Sequence, residues 1–296
     1  MIRRPDQLVL LGHPVSHSLS PVFQRAALAH ARLGIDYVAR DVPPSTLATT
    51  IEELRLGNAA GNVTVPYKGD IFRLCNVTTD VAKRAGAVNT FWFNDGVLHG
   101  DNTDVGGFNA AVRHLLGVIA PGIRVTLLGA GGSASAVAVA TEGWTNAKLT
   151  IWNRTETTAA TLAQRFAHAR IEMQLSRALE RADLVVNATP IGLRDELHPV
   201  DVALLPPHAA VIDLVYRPHE TAWVRAARSA GHLAEDGLHM LVEQGALAFR
   251  RWFGIDPDRR VMWRAIAEHL NTNAGVRTNM TTVSTEVDAM TGRTTH

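Results

Sequence analysis

Short apolar runs alternate with longer stretches of helical spacing along most of the chain. Leu8-Val9-Leu10-Leu11 is unbroken, as in a strand covered on both faces. A loop of Gly, His, Pro and Ser follows, then helical spacing from about Pro21 to Leu33. Tyr37–Val42 reads as a second strand, 45–56 as a helix and Gly61–Val65 as a third strand. Strand, helix and strand in that alternation predict a parallel sheet. Asn94-Asp95-Gly96, between Phe91-Trp92-Phe93 and Val97-Leu98-His99, predicts a hairpin.

After a helix over Val105–Leu116 and a break at Pro121-Gly122, the pattern restarts with Arg124-Val125-Thr126-Leu127-Leu128. A helix to about Glu142, a strand over Lys148–Trp152, a helix to about Ala167 and strands over Leu184–Asn187 and Ala210–Leu214 complete a second α/β unit. Two amphipathic helices come last, Leu238–Phe253 and about Pro257–Leu270, and are expected to close back over the first unit. The expected organisation is therefore one domain from 1–105 with 237–270, and a second from 106–236. Residues 271–296, rich in Thr and Asn, read as a flexible tail.

At 296 residues the chain is long enough for two such domains. With 46% hydrophobic and 19% charged residues it has a globular composition. A formal net charge of +1 gives no electrostatic case for nucleic acid or an anionic membrane. No apolar run approaches the roughly 20 residues that span a bilayer, and the N-terminus lacks the apolar centre of a signal peptide. Cys75 is the only cysteine, so no internal disulfide forms, and a reducing cytoplasm is expected. The thirteen histidines are scattered, with no His-Glu-x-x-His or Cys-x-x-Cys spacing, and no metal site is expected.

Gly129-Ala130-Gly131-Gly132-Ser133-Ala134 fits Gly-x-Gly-x-x-Gly/Ala, directly after a strand and directly before an alanine-rich helix. In that setting backbone N–H groups approach a pyrophosphate, and the helix N-terminus favours its charge. A dinucleotide is expected there. An NAD site puts an acid at the end of the next strand to hold the ribose 2′-hydroxyl. Here Asn153-Arg154-Thr155 stands in that place, and Arg154 offers a fork to a 2′-phosphate. NADP is therefore the expected cofactor, with Glu156 close by as a mild counter-indication.

Two further segments carry candidate chemistry. Asn62-Val63-Thr64-Val65-Pro66-Tyr67-Lys68 ends an uncharged run in an ammonium, and Gly100-Asp101-Asn102-Thr103-Asp104 puts a carboxylate in a polar turn. Brought together in a cleft, a lysine and an aspartate make a proton-handling pair; apart, they are a surface lysine and an ordinary turn. In Gly12-His13-Pro14-Val15-Ser16-His17-Ser18-Leu19-Ser20-Pro21, two hydroxyls two residues apart would face one way in an extended segment and suit a carboxylate. Alternatively, Ser20 caps the next helix, with Pro21 at its first position.

These segments occur in order with Gly86-Ala87-Val88-Asn89-Thr90, Asn187-Ala188-Thr189-Pro190, Asp213-Leu214-Val215-Tyr216 and Asp236-Gly237-Leu238-His239-Met240-Leu241-Val242-Glu243-Gln244. Over about residues 7–270 the set resembles the shikimate dehydrogenase family. The resemblance implies an α/β protein: an N-terminal substrate domain, a Rossmann-type NADP-binding domain, and C-terminal helices returning to the first. It implies NADPH-dependent reduction of 3-dehydroshikimate to shikimate, in aromatic amino-acid biosynthesis, by a monomer or homodimer. By the match, Lys68 and Asp104 are the catalytic pair, and Ser18 and Ser20 hold the substrate carboxylate. Thr64, Asn89, Tyr216 and Gln244 contact the substrate. Gly129, Ala130, Gly131, Gly132, Ser133, Asn153, Arg154 and Thr155 hold the cofactor, with Asp80, Leu214 and Gly237 near it. Three positions depart from the pattern: Thr158 where a second arginine often sits, Ser135 where the first cofactor helix often has an arginine, and His239 where a small residue is usual. Competing expectations are a quinate/shikimate or aminoshikimate dehydrogenase, and a non-catalytic NADP-binding regulator. The presence of both Lys68 and Asp104 argues against the latter.

Overall fold

In the computed structural model, residues 4–272 are described. Two six-stranded sheets organise them. The first holds β1 (Gln7–Gly12), β2 (Tyr37–Asp41), β3 (Ala59–Val63), β4 (Val77–Thr78), β5 (Thr90–Asn94) and β6 (Val97–Asp101), in the order β2-β1-β3-β5-β6-β4. β1 pairs in parallel with β2 and β3, while β5 is antiparallel to β3 and β6. The β5–β6 hairpin turns through Asp95 and Gly96, both at positive φ, as its Asp-Gly sequence requires.

The apolar continuity of β1 has its predicted cause, since both faces of this sheet are covered. One face packs Leu8, Leu10 and Tyr37 against α1 (Ser20–His30), α10 (Leu238–Phe253) and a helix over 259–272. The other packs Val9, Leu11 and Phe91 against α2 (Leu47–Leu56), α3 (Lys68–Leu74) and α4 (Asp80–Ala85).

The second sheet holds β7 (Arg124–Leu128), β8 (Lys148–Trp152), β9 (Ala169–Ile171), β10 (Leu184–Asn187), β11 (Ala210–Asp213) and β12 (Ala234–Glu235). Its order is β12-β11-β10-β7-β8-β9, with every pair parallel. That is the doubly wound order of a dinucleotide-binding domain, with its switch point between β7 and β10. The faces are covered by α5 (Asp104–Leu116), α6 (Gly132–Glu142) and α7 (Glu156–Ala163) on one side, and by α8 (Leu175–Leu179) and α9 (Ala222–Ser229) on the other.

The helices α5 and α10 lie against each other where the chain passes between the sheets. A Cβ on Gly107 would stand 2.8 Å from Gln244 Cβ and from the Met240 carbonyl, so only glycine permits this approach. Arg251 on α10 ties that helix to the end of β6, with Nη2 2.6 Å from the buried Asp101 carboxylate.

Some boundaries differ from expectation. β3 ends at Val63 rather than Val65: the Thr64 N–H still donates to the Leu11 carbonyl, but its own carbonyl turns to take the Tyr67 N–H. α7 ends at Ala163 rather than near Ala167; Phe166 turns into the core instead. The tail expected from 271 onward lies, beyond residue 272, outside the described residues.

Candidate active site

Lys68 is the first residue of α3 and Asp104 the first of α5. Lys68 Nζ stands 2.6 Å from Asp104 Oδ2, with side chains only 12% and 6% exposed. The other Asp104 oxygen takes the Asn89 amide at 2.7 Å. That amide also faces Gln244 Oε1 at 3.2 Å and Thr103 Oγ1 at 2.9 Å. Asn89 Oδ1 accepts the Thr103 N–H at 2.7 Å, which sets its flip state. Five side chains from β6–α5, α3, the loop before β5 and α10 thus converge on one buried polar cluster. Asp101, the other acid of the same turn, is committed to Arg251 and Thr79.

Lys68 also meets the second sheet. Its Nζ lies 3.4 Å from Ser133 Oγ, and a Cβ on Gly132 would touch its Cβ and Cδ at 3.5 Å. The glycine loop is therefore packed against the lysine. Gly129 has φ +107°, and a Cβ there would stand 3.0 Å from the Ala188 backbone. Gly131 is the N-cap of α6, and no side chain caps it. The first-turn N–H groups of α6 are thus left for a ligand, and no acid lies in that turn. This donor set fits a pyrophosphate.

Asn153, Arg154 and Thr155 follow β8, with Asn153 Nδ2 donating to the Thr155 carbonyl at 2.8 Å. Arg154 is exposed and makes no hydrogen bond or ion pair within the described residues, so its fork is available to an anion. Glu156 begins α7 and is also exposed. Leu214 and Gly237 are neighbours: a Cβ on Gly237 would collide with the Leu214 carbonyl. Asp80 begins α4 with a fully exposed carboxylate, 3.4 Å from Lys83.

The serine pair departs from both expectations. The segment is not extended, because Leu19 is helical and is itself the N-cap of α1. Ser20 is inside the helix and caps nothing; instead its N–H donates to Ser18 Oγ at 3.2 Å. Tyr216 also hydrogen-bonds the Ser18 side chain, and burial pushes its phenol above the ordinary range. Ser18, Ser20 and Tyr216 therefore form one group at the start of α1. Thr64 packs against Gly12, its methyl filling the space where the glycine lacks a side chain.

Three features were not foreseen. Thr103 joins the Asn89 cluster, its place set by a backbone turn rather than a motif. Asp236 is buried with Oδ2 unpartnered. Burial pushes its carboxyl up to about 7, with Glu220, Asp213 and Glu235 adding to the shift against one Leu238 N–H bond. Buried Asp213 rises to about 6 for the same main reason. His239 stacks on His114 at 4.1 Å, and Nδ1 of each ring faces Glu235, at 3.5 and 3.1 Å. These three form a group whose ligand atoms lie within 4.8 Å of one another, drawn from distant parts of the chain.

Comparison with known proteins decides the family. The chain is 40% identical over 267 residues to the NADP(+) shikimate dehydrogenase of Symbiobacterium thermophilum, covering 85% of this chain and 90% of that one. The chain belongs to the shikimate dehydrogenase family. Another member, from Rubrobacter xylanophilus, is 44% identical, with 87% and 94% covered. The substrate-binding domain model of the family matches residues 10–91, its shikimate/quinate 5-dehydrogenase model 117–192, and its C-terminal domain model 237–267. Among solved family structures, that from Aquifex aeolicus aligns with a TM-score of 0.84 at 34% identity, covering 90% of this chain and 99% of that one. The Thermus thermophilus enzyme in complex with NADP(H) and shikimate aligns at 0.80 and 38%, with the same coverage.

Proposed function

We infer that this protein is an NADP-dependent shikimate dehydrogenase, interconverting 3-dehydroshikimate and shikimate on the route to chorismate and the aromatic amino acids. The observation that carries the reading is the position of Lys68. A proton donor is fixed 2.6 Å from Asp104 and 3.4 Å from the dinucleotide loop, on the seam between the two sheets. When bound, the cofactor supplies or takes the hydride.

The protein's own groups do the rest. Lys68 as ammonium gives a proton to the ring oxygen that becomes a hydroxyl; as neutral amine it takes that proton back in the other direction. Asp104 Oδ2 aims the lysine and accepts from the same hydroxyl. Asn89 holds Asp104 by its other oxygen. Ser18 and Ser20 bind the substrate carboxylate at the start of α1, where the helix dipole favours an anion. Thr64, Asn89, Tyr216 and Gln244 contact the ring. Residues 129–133, with Asn153, Arg154 and Thr155, hold the cofactor; Leu214 and Gly237 line its pocket, and Asp80 stands at its margin. The substrate side chains apart from Tyr216 belong to 1–105 and 237–270, the cofactor loop to 106–236. One chain carries every group named, which suits a monomer or a homodimer. A single cysteine suits the cytoplasm.

The test is a substrate panel of shikimate, quinate and aminoshikimate, each with NADP and NAD, followed by NADPH or NADH absorbance. Shikimate with NADP is expected to give the highest kcat/KM. No shikimate-dependent reduction of NADP would overturn the reading, and higher kcat/KM with quinate or aminoshikimate would reassign the substrate.

A further inference from the structure

Two arginines common in the family are absent here, replaced by Ser135 on α6 and Thr158 on α7. The space beside them is a cavity of about 270 Å³, lined by Ala130, Ser135, Thr157, Thr158, Leu162 and Arg165, with Thr161. It opens next to the glycine loop through Ala130. Arg165 stands in the turn just beyond the end of α7, from which a long side chain can reach back into this cavity. Arg165 does so: its Nη1 approaches Ser135 Oγ at 3.5 Å.

The charge of Arg165 is unanswered. Among the described residues no carboxylate lies within ion-pair distance of it. Its neighbour Arg84 has one, holding Glu142 by a two-pronged bond at 2.7 and 2.6 Å. Arg84 and Arg165 donate to each other's backbone carbonyls, and both stand over the Phe166 ring. Of the two neighbouring guanidiniums, only that of Arg84 therefore has a carboxylate. Burial and the Arg84 charge lower the Arg165 pKa, as expected where an anion is lacking. A half-buried, unpaired guanidinium in a cavity edged by threonine hydroxyls is a site for a phosphate.

We propose that Arg165 supplies the phosphate-binding charge that Ser135 and Thr158 do not, reaching from behind α7 to take the 2′-phosphate of NADP opposite Arg154. The proposal rests on the cofactor reading above and extends it to a residue that no motif marks. It also places one guanidinium in contact with both the cofactor pocket and α4 of the other domain, through the Arg84 carbonyl.

The test measures binding to the full-length protein by calorimetry, without shikimate. The probes are 2′,5′-ADP and 5′-AMP, which differ only in the 2′-phosphate. Arg165→Met should weaken 2′,5′-ADP roughly 10- to 150-fold, the loss of one charge-assisted contact, and leave 5′-AMP unchanged. Thr161→Glu keeps the arginine and sets a carboxylate in the cavity it lines; it should weaken 2′,5′-ADP selectively too. Thr158→Arg in the Arg165→Met background should restore 2′,5′-ADP binding. Equal weakening of both probes in both single variants, or no weakening in either, would overturn the proposal. A merely structural arginine would lower Tm and affect both probes alike. Failure of the wild type to reduce NADP with shikimate would instead overturn the functional reading, and would leave this comparison intact.

Discussion

Asp236→Asn should flatten the pH dependence of stability. Asp236 is 6% exposed, one of its oxygens has no partner, and its carboxyl rises from 3.8 to about 7. A carboxyl raised in the folded state makes the fold bind more protons than the unfolded chain between those values. Its contribution is thus fully present below pH 3.8 and is lost as pH rises through about 7. At about 1.4 kcal/mol per pH unit the whole loss is on the order of 4 kcal/mol, and about 3 kcal/mol of it falls between pH 5 and pH 8. Asparagine keeps the oxygen that accepts the Leu238 N–H and never ionises. Thermal unfolding of the wild type and the variant, at pH 5 and pH 8, reads the difference directly. The variant should gain on the wild type by roughly 5–11 °C between the two pH values. Parallel Tm–pH curves would show that this carboxyl does not titrate in the fold as its surroundings require.

Lys68→Ala should lower kcat by on the order of 10²–10⁴-fold, the range for a general acid–base group; near wild-type turnover with shikimate would remove Lys68 from that role. Ser18→Ala and Ser20→Ala should each raise KM for shikimate, by about 1–3 kcal/mol of lost binding. Only Ser18→Ala should also lower Tm, because Ser18 Oγ accepts the Ser20 N–H and meets Tyr216; unchanged KM in both variants would count against carboxylate binding. Arg154→Ala should raise KM for NADP roughly 10- to 150-fold and barely change that for NAD, and equal losses with both cofactors would contradict a 2′-phosphate contact.

The sheets were legible because their strands are apolar on both faces and their connections follow the helical period. The glycine loop was legible from its strand before and helix after. Shorter elements were not: β4, β9 and β12 have two or three residues each, too few to show alternation. α3 was hidden behind Pro66, and so the reading of Lys68 as the end of a run missed that it starts a helix. The cap assignment of Ser20 failed on one backbone angle pair at Leu19, which sequence does not reveal. Arg165 was invisible for another reason. Its partners, Ser135 and the Arg84 carbonyl, are 30 and 81 residues away in the chain.

The contact between α5 and α10 bears on how the protein is made. α5 ends at Leu116 and α10 begins at Leu238, so joining them closes a loop containing the whole second sheet. Closing a flexible chain of that length costs about 4 kcal/mol more than a very short one. If β7 to β12 have already folded, their ends are held and most of that cost is absorbed. A chain emerging N-terminus first completes the second sheet before α10 appears. Yet Val242, Ala246, Phe249 and Trp252 belong to the core beneath β1. The first domain to be synthesised is therefore the last to be finished, and chain termination anywhere before residue 238 leaves it with an open apolar face.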